Sequence, residues 1–317
     1  MATIVTLTMN PALDTSTAVD RVVPEHKLRC GPLRFAPGGG GINVARAIRQ
    51  LGGTAKPIYT CGGPFGRMLQ QLLDAEGLEH QPVTIAGQTR ASFTAGEEAS
   101  DQQYRFTMPG PQIQATEWQH CLEILSSLDP RPDYLVAGGS LPPGVPDDFY
   151  AQVAQITAET GTRLIVDTSG EALHSAVYRG PGIYAIKPNL RELRTLARDE
   201  LADERQQEKL ARSLIEQGRS EVVMLSLGAA GVLLVTAEGS ERLRAPTVPI
   251  RSKIGAGDST VAGFTLGLAR DMALRDAVRF GVAAGAAAVM TPGTALCRRE
   301  DTERLHEQIA VDTDLLS

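Results

Sequence analysis

The chain has 317 residues, 42% hydrophobic and 21% charged, which excludes a disordered or fibrous protein and leaves room for about two average domains or one large α/β domain with additions. Thirty-one basic against 37 acidic side chains give a net charge of −6, which argues against a nucleic-acid binder while permitting a local basic pocket for a small anion. Aromatic residues are 4%, with Trp118 the one tryptophan, so a base-stacking platform is excluded. Cys30, Cys61, Cys121 and Cys297 form no Cys-x-x-Cys pair and the five histidines are scattered, which points to a reducing compartment and away from a zinc site. The amino terminus has no basic leader, and the longest apolar stretch, 280–290, falls far short of the roughly 18 residues of a membrane span. A cytoplasmic protein without membrane or nucleic-acid partners is expected.

In chain order, a β-prone run over 4–9 ends at Asn10-Pro11, and helical spacing over 42–51 is opened by glycines and closed by Gly52-Gly53. The pattern then predicts strands at 57–60, 134–137, 163–166, 183–186 and 222–226, with helices at 66–75, 116–127, 146–159 and 203–217. Strands spaced by helices predict a mostly parallel sheet covered on both faces. After Ser226 the pattern changes to two edge strands, 232–235 and 243–249, followed by Ala-rich helices at 259–269 and 274–290. Two polar β-prone segments, 15–35 and 88–108, contain no helix and predict a small accessory sheet. Alternation puts Arg90, Ser92 and Thr94 on one face of it with Gln103, Arg105 and Thr107, and Phe93, Tyr104 and Phe106 on the other. Lys27 and Arg29 share a side if their segment is extended, so four cations either converge on one surface or are ordinary solvated strand residues.

Three glycine-bearing stretches carry candidate chemistry. The chain has no Gly-Lys dipeptide, which excludes a P-loop, and Gly38-Gly39-Gly40-Gly41-Ile42-Asn43 fits no register of Gly-x-Gly-x-x-Gly. That run is either a tight turn into a helix or a place where backbone approaches a ligand, with Asn43 offering an amide. Gly255-Ala256-Gly257-Asp258 leads into a helix, where successive N–H groups suit a transferring phosphoryl group, and Asp258 either caps the helix or accepts a proton from a hydroxyl. Asn189 and Glu192 read as a capping box, yet with Lys187 they also place oxygen ligands at the end of a strand, suited to water-mediated Mg²⁺. Ser226-Leu227-Gly228-Ala229-Ala230-Gly231 is a hairpin turn or a nucleotide shelf.

Taken together, Gly38 to Asn43, Asn189-x-x-Glu192 and Gly255 to Asp258, in that order, resemble the motifs of the PfkB (ribokinase-like) family of carbohydrate kinases, and the resemblance covers the whole chain. Asn10-Pro11-Ala12-Leu13-Asp14, Tyr104-Arg105-Phe106 and Gly139-Ser140-Leu141-Pro142-Pro143-Gly144 resemble its phosphosugar branch. The resemblance implies one ribokinase-like unit over 1–317, a three-layer α/β/α fold with a small β-sheet lid inserted at roughly 13–35 and 88–108. It implies ATP and Mg²⁺, and transfer to the 1-hydroxyl of fructose 6-phosphate; the rivals are tagatose-6-phosphate kinase or 1-phosphofructokinase activity, and a noncatalytic sugar-phosphate or nucleotide sensor. It further implies Asp258 as base and Gly255, Ala256 and Gly257 as anion hole, with Asp14, Gly39, Asn43 and Ser140 on the sugar and Lys27, Arg29, Arg90 and Arg105 around its phosphate. Lys187, Asn189, Glu192, Ser226, Gly228 and Gly231 fall on the ATP and magnesium side. A homodimer clasped through the lid is implied too. Ser252-Lys253-Ile254 stands where many relatives carry Asp-Thr, which departs from the usual monovalent-cation site.

Overall fold

The computed structural model describes residues 2–100 and 102–314. Its elements in chain order begin with strands β1 (Ile4–Thr8), β2 (Ala12–Val19) and β3 (Arg34–Gly38), helix α1 (Gly40–Gln50), β4 (Lys56–Cys61), α2 (Gly63–Ala75), β5 (Gln81–Thr84), β6 (Arg90–Glu97) and β7 (Gln102–Thr107). There follow α3 (Ala115–Ser126), β8 (Tyr134–Gly138), α4 (Phe149–Thr160), β9 (Arg163–Asp167), α5 (Gly170–Arg179), β10 (Ile183–Ile186), α6 (Leu190–Ala197), α7 (Glu204–Glu216) and β11 (Ser220–Ser226). The last elements are β12 (Val232–Thr236), β13 (Gly239–Leu243), α8 (Ala256–Ala269), α9 (Leu274–Val289) and α10 (Arg299–Asp314).

Nine strands form one sheet in the order β13-β12-β11-β10-β9-β8-β1-β4-β5, parallel from β11 to β5 and antiparallel at β12 and β13. The runs Ile4–Thr8 and Tyr134–Gly138 are buried throughout, as central strands covered on both faces must be. Residues of α1, α8, α9 and α10 build the core on one face, and those of α3 to α7 build the core on the other. This is the expected three-layer arrangement. The remaining strands form a separate sheet, β3-β2-β6-β7, in which β2 and β6 run parallel. Its register pairs Asp14 with Ser92 and Thr94 with Arg105, so Asp14, Arg90, Ser92 and Arg105 share a face while Phe35, Phe93, Tyr104 and Phe106 share the opposite one.

The elements depart from the sequence reading in a few places. No strand spans 243–249: the β12–β13 hairpin turns at Ala237-Glu238 and β13 ends at Leu243, before Pro246 and Pro249, which have no N–H for a ladder. Residues 20–33 form no strand and are exposed apart from the half-buried Val22, so the two-residue spacing of Lys27 and Arg29 does not place them on a strand face. Strand β5 and helices α5 and α10 are additional. Pro82 disguises β5 in the sequence and is tolerated because β5 lies at the sheet edge. Among the described residues no helix is long and apolar enough to cross a membrane.

Candidate active site

The carboxyl ends of β8, β9, β10 and β11 face the amino ends of α1 and α8, the crevice in which open α/β sheets bind ligands. Helix α8 is capped by Gly255 in the left-handed region (φ 76°), where a Cβ would also lie 2.7 Å from Leu296. Asp258 is therefore not the cap. It sits in the first helical turn, and its Oδ2 accepts from Asn43 Nδ2 at 2.8 Å. Burial pushes the Asp258 carboxyl up to about 6 and the nearby Asp167 adds to the rise, opposed by the Asn43 hydrogen bond and by the charges of Lys187 and Arg105. A carboxylate so tuned is a proton acceptor near neutral pH.

Lys187, buried just past the end of β10, places Nζ 3.1 Å from Asp167 Oδ1. Burial works against its charge, but Asp167, Glu192 and Asp258 together outweigh that and hold its pKa above the ordinary lysine value. A Cβ on Gly257 would stand 3.5 Å from the same Nζ, so the ammonium lies beside the unfilled first turn of α8. Together they form a cationic cradle whose chemistry fits a phosphoryl group. On the next helix, Asn189 N donates to Glu192 Oε2 at 2.8 Å and Glu192 N donates to Asn189 Oδ1 at 3.0 Å, a complete capping box. Glu192 is half-buried, with its pKa raised by burial first and further by Asp167. Two carboxylates, Asp167 and Glu192, thus flank Lys187. The Glu192 carboxyl and the Asn189 side-chain oxygen are hard oxygen donors whose chemistry fits Mg²⁺ completed by phosphate oxygens and water; among the described residues no group of three or more His, Cys, Asp or Glu could hold a metal ion. Ser226 bridges to Asn189 at the end of β11, and its N–H donates to Pro188 O. Gly228 opens a short 3₁₀ turn with free space at its α-carbon, whereas Gly231 is required by packing, since a Cβ there would collide with Leu243 O.

Across the crevice, Gly39 takes φ 124° before α1, and Asp14 stands where a Cβ on Gly38 would be. Burial raises the Asp14 pKa, against the pull of Arg105, a Ser92 hydrogen bond, Arg90 and Arg46. Asn10 Nδ2 donates to the exposed Ser140 Oγ at 3.1 Å. Arg105 is exposed and acts on both Asp14 and Asp258, so it overhangs the crevice. Arg90 is on the same face but turned to backbone: Nε and Nη2 donate to Asn10 O at 3.3 and 3.1 Å, and Nη1 to Met108 O at 3.2 Å. Lys27 and Arg29 are exposed in the 20–33 stretch and are not among the charges acting on Asp14 or Asp258. Asp167 and Arg46 were missed in the sequence. An aspartate ending a parallel strand was a signal for the first; the second is one buried arginine in an otherwise apolar helix face.

Residues 7–301 match the model of the pfkB family carbohydrate kinases, and the chain belongs to that family. It is 45% identical over 312 residues to ATP-dependent 6-phosphofructokinase isozyme 2 of Mycobacterium tuberculosis, covering 98% of this chain and 91% of the relative. The enzyme of the same name from Escherichia coli K12 is 41% identical over 310 residues, with 98% and 100% covered. The crystal structure of Escherichia coli phosphofructokinase-2 in complex with fructose-6-phosphate superposes with a TM-score of 0.92 at 40% identity over 98% of this chain and all of that one. The fold is thus ribokinase-like.

Proposed function

We propose that the protein moves the terminal phosphoryl group of ATP onto the 1-hydroxyl of fructose 6-phosphate, giving fructose 1,6-bisphosphate and ADP. The observation that carries this reading is the meeting, at one end of the crevice, of the Asp258 carboxylate, the open first turn of α8 and the buried Lys187 ammonium. Asp258 takes the hydroxyl proton as the O–P bond forms, and the Gly255, Ala256 and Gly257 backbone with Lys187 receives the charge of the phosphoryl group in transit. Asp14, Gly39, Asn43 and Ser140 hold the sugar. Arg105 reaches its phosphate, Arg90 fixes the sheet beneath that phosphate, and Lys27 and Arg29 complete the cationic rim from their exposed stretch. Lys187, Asn189, Ser226, Gly228 and Gly231 border the nucleotide. Glu192 and Asn189 would hold Mg²⁺ through water, and the ion would supply charge neutralisation at the nucleotide phosphates.

The small sheet serves as a lid on one kinase unit spanning 1–317. Its outer face, with Phe35 and Phe106 exposed and Phe93 and Phe106 rings 6.1 Å apart, suits pairing with a second copy about a twofold axis. A cytoplasmic location follows from substrates that are charged intracellular metabolites. Coupled assay of ADP release with fructose 6-phosphate, fructose 1-phosphate, tagatose 6-phosphate and free fructose, each with and without Mg²⁺, tests the reading. Fructose 6-phosphate with Mg²⁺ is expected to be fastest and free fructose poor. A faster rate with fructose 1-phosphate or tagatose 6-phosphate assigns the rival kinase activity, and binding of sugar phosphates without ADP release assigns a sensor.

A further inference from the structure

Arg46 projects from the middle of α1 into the interior, 8% exposed, and most of its guanidinium is engaged. Nε donates to both oxygens of Glu76 at 3.0 and 2.8 Å and Nη2 donates to Glu76 Oε1 at 2.6 Å, a forked pair with the C-cap residue of α2. Nη1 points the other way, donating to Pro37 O at 3.0 Å and to Asn43 Oδ1 at 3.5 Å. Pro37 lies in β3, the strand that leads from the small sheet into α1. Asn43 is the residue whose amide nitrogen holds Asp258.

From this arrangement we infer that Arg46 is a positioning residue, which by anchoring Asn43 Oδ1 and Pro37 O keeps the amide nitrogen of Asn43 aimed at Asp258 and ties the stem of the small sheet to that base. The inference rests on the reading of Asp258 as proton acceptor. An amide has one accepting end and one donating end, and only the donating end stabilises a carboxylate. With a cation at the oxygen end the side chain has one favourable orientation. Without it, rotation about the last bond would present oxygen to oxygen at Asp258. Stability alone is a weak reason to keep such a group, since a buried ion pair is often no better than a well-packed apolar pair of the same volume. The fork also uses three contacts to Glu76 while leaving Nη1 free to reach the amide, which a lysine ammonium cannot reproduce.

The pH dependence of kcat with saturating substrates tests this, because a merely structural residue would not move it. Asp258 is faced by Asn43 from α1, Asp167 from β9, Lys187 just beyond β10 and Arg105 from β7. Loss of the Asn43 donor leaves its proton more tightly held, so the acid limb moves to higher pH. Arg46→Gln is expected to shift the limb upward by about 0.5–1 pH unit, a roughly three- to tenfold loss of kcat below the limb. Asn43→Ala should shift it likewise, and adding Arg46→Gln to Asn43→Ala should shift it no further. Should Arg46→Gln fail to fold, Glu76→Gln weakens the same fork from its more exposed end, and a smaller shift in the same direction is expected. A lower Tm with the limb at its wild-type position in the folded variants would overturn the role of Arg46. Near-normal turnover of Asp258→Asn would instead overturn the reading of the base, so the two failures are separable.

Discussion

Helices α1 and α8 both begin in glycine runs and both aim their first turn at the same crevice, yet the space freed by the glycines is used differently. At α1 it is filled by protein. A Cβ on Gly38 would collide with the Asp14 carboxylate, one on Gly40 would lie 2.7 Å from Gly139 N, and one on Gly41 would lie 2.5 Å from Leu7 O. These glycines let α1 close onto the ends of β1 and β8 and leave a niche for Asp14. At α8, only Gly255 is tightly boxed, by Leu296, while the space above Gly257 meets nothing nearer than the Lys187 ammonium at 3.5 Å. Gly38, Gly40 and Gly41 serve packing, whereas the α8 run is open above Gly257, a difference invisible in the spelling of either run.

The largest expected effect is at the open end. Asp258→Asn keeps the shape and removes the base, and kcat is expected to fall by about 10²- to 10⁴-fold with sugar phosphate still binding. The same variant should be more stable near pH 7. Because the folded protein raises the carboxyl from 3.8 to about 6, the native state binds the proton more tightly than the unfolded chain, and stability is lost as pH rises between those values. Removing the charge recovers it. After discounting for solvent in the open crevice the gain is about 1–2 kcal/mol, seen as a higher Tm at pH 7 that vanishes below about pH 4. In wild-type enzyme the rate should correspondingly rise through a limb near pH 6, and a flat profile from pH 5 to 8 would remove Asp258 from the role of base.

A matched pair of alanine substitutions breaks the comparison directly. Gly41→Ala forces a methyl against the Leu7 carbonyl and is expected to cost about 1–3 kcal/mol of stability, with the folded fraction retaining catalysis. Gly257→Ala meets only ordinary contact distances and should leave Tm nearly unchanged, but its methyl occupies the phosphoryl cradle, so kcat should drop about tenfold or more. Equal effects of the two substitutions on Tm would show that the runs do not differ.

How far the sequence reveals this depends on whether the information is local. The apolar run alone bounds strand β10 at 183–186, and the alternation of the small sheet puts Arg90 and Arg105 on one face, as the structure does, because both are properties of neighbouring residues. The Asp258 alternatives are open in the sequence because capping and proton transfer ask for the same residue type in the same place; with Gly255 as the cap, the structure removes the first, and the second stands as the proposal. Asp167 pairs with a lysine 20 positions away only because β9 and β10 are adjacent and parallel, and Arg46 meets Glu76 only because α1 and α2 are neighbours. Such partners follow from topology, which no motif spells out. The shared strand face read for Lys27 and Arg29 does not form, for the opposite reason: spacing implies a face only where a strand exists, and residues 20–33 contain none.

Helix α6 supplies the smallest and most discriminating test, because its start is neither filled nor open. Its N–H groups are met by the Asn189–Glu192 box, while the Glu192 carboxyl remains half-buried beside Asp167 and Lys187. Gln serves at this position of a capping box as Glu does, so Glu192→Gln should hold the unfolding free energy within about 0.5 kcal/mol of wild type. The charge is what Mg²⁺ requires, and the Mg²⁺ concentration for half-maximal rate should rise several-fold with a smaller change in KM for fructose 6-phosphate. Burial raises the Glu192 pKa, so in wild-type enzyme the Mg²⁺ requirement should also climb as pH falls, and in the Gln variant that climb should flatten. If titrations at two pH values show the same Mg²⁺ requirement in both proteins, Glu192 is a capping residue only and α6 joins α1 as a helix start closed by the protein itself.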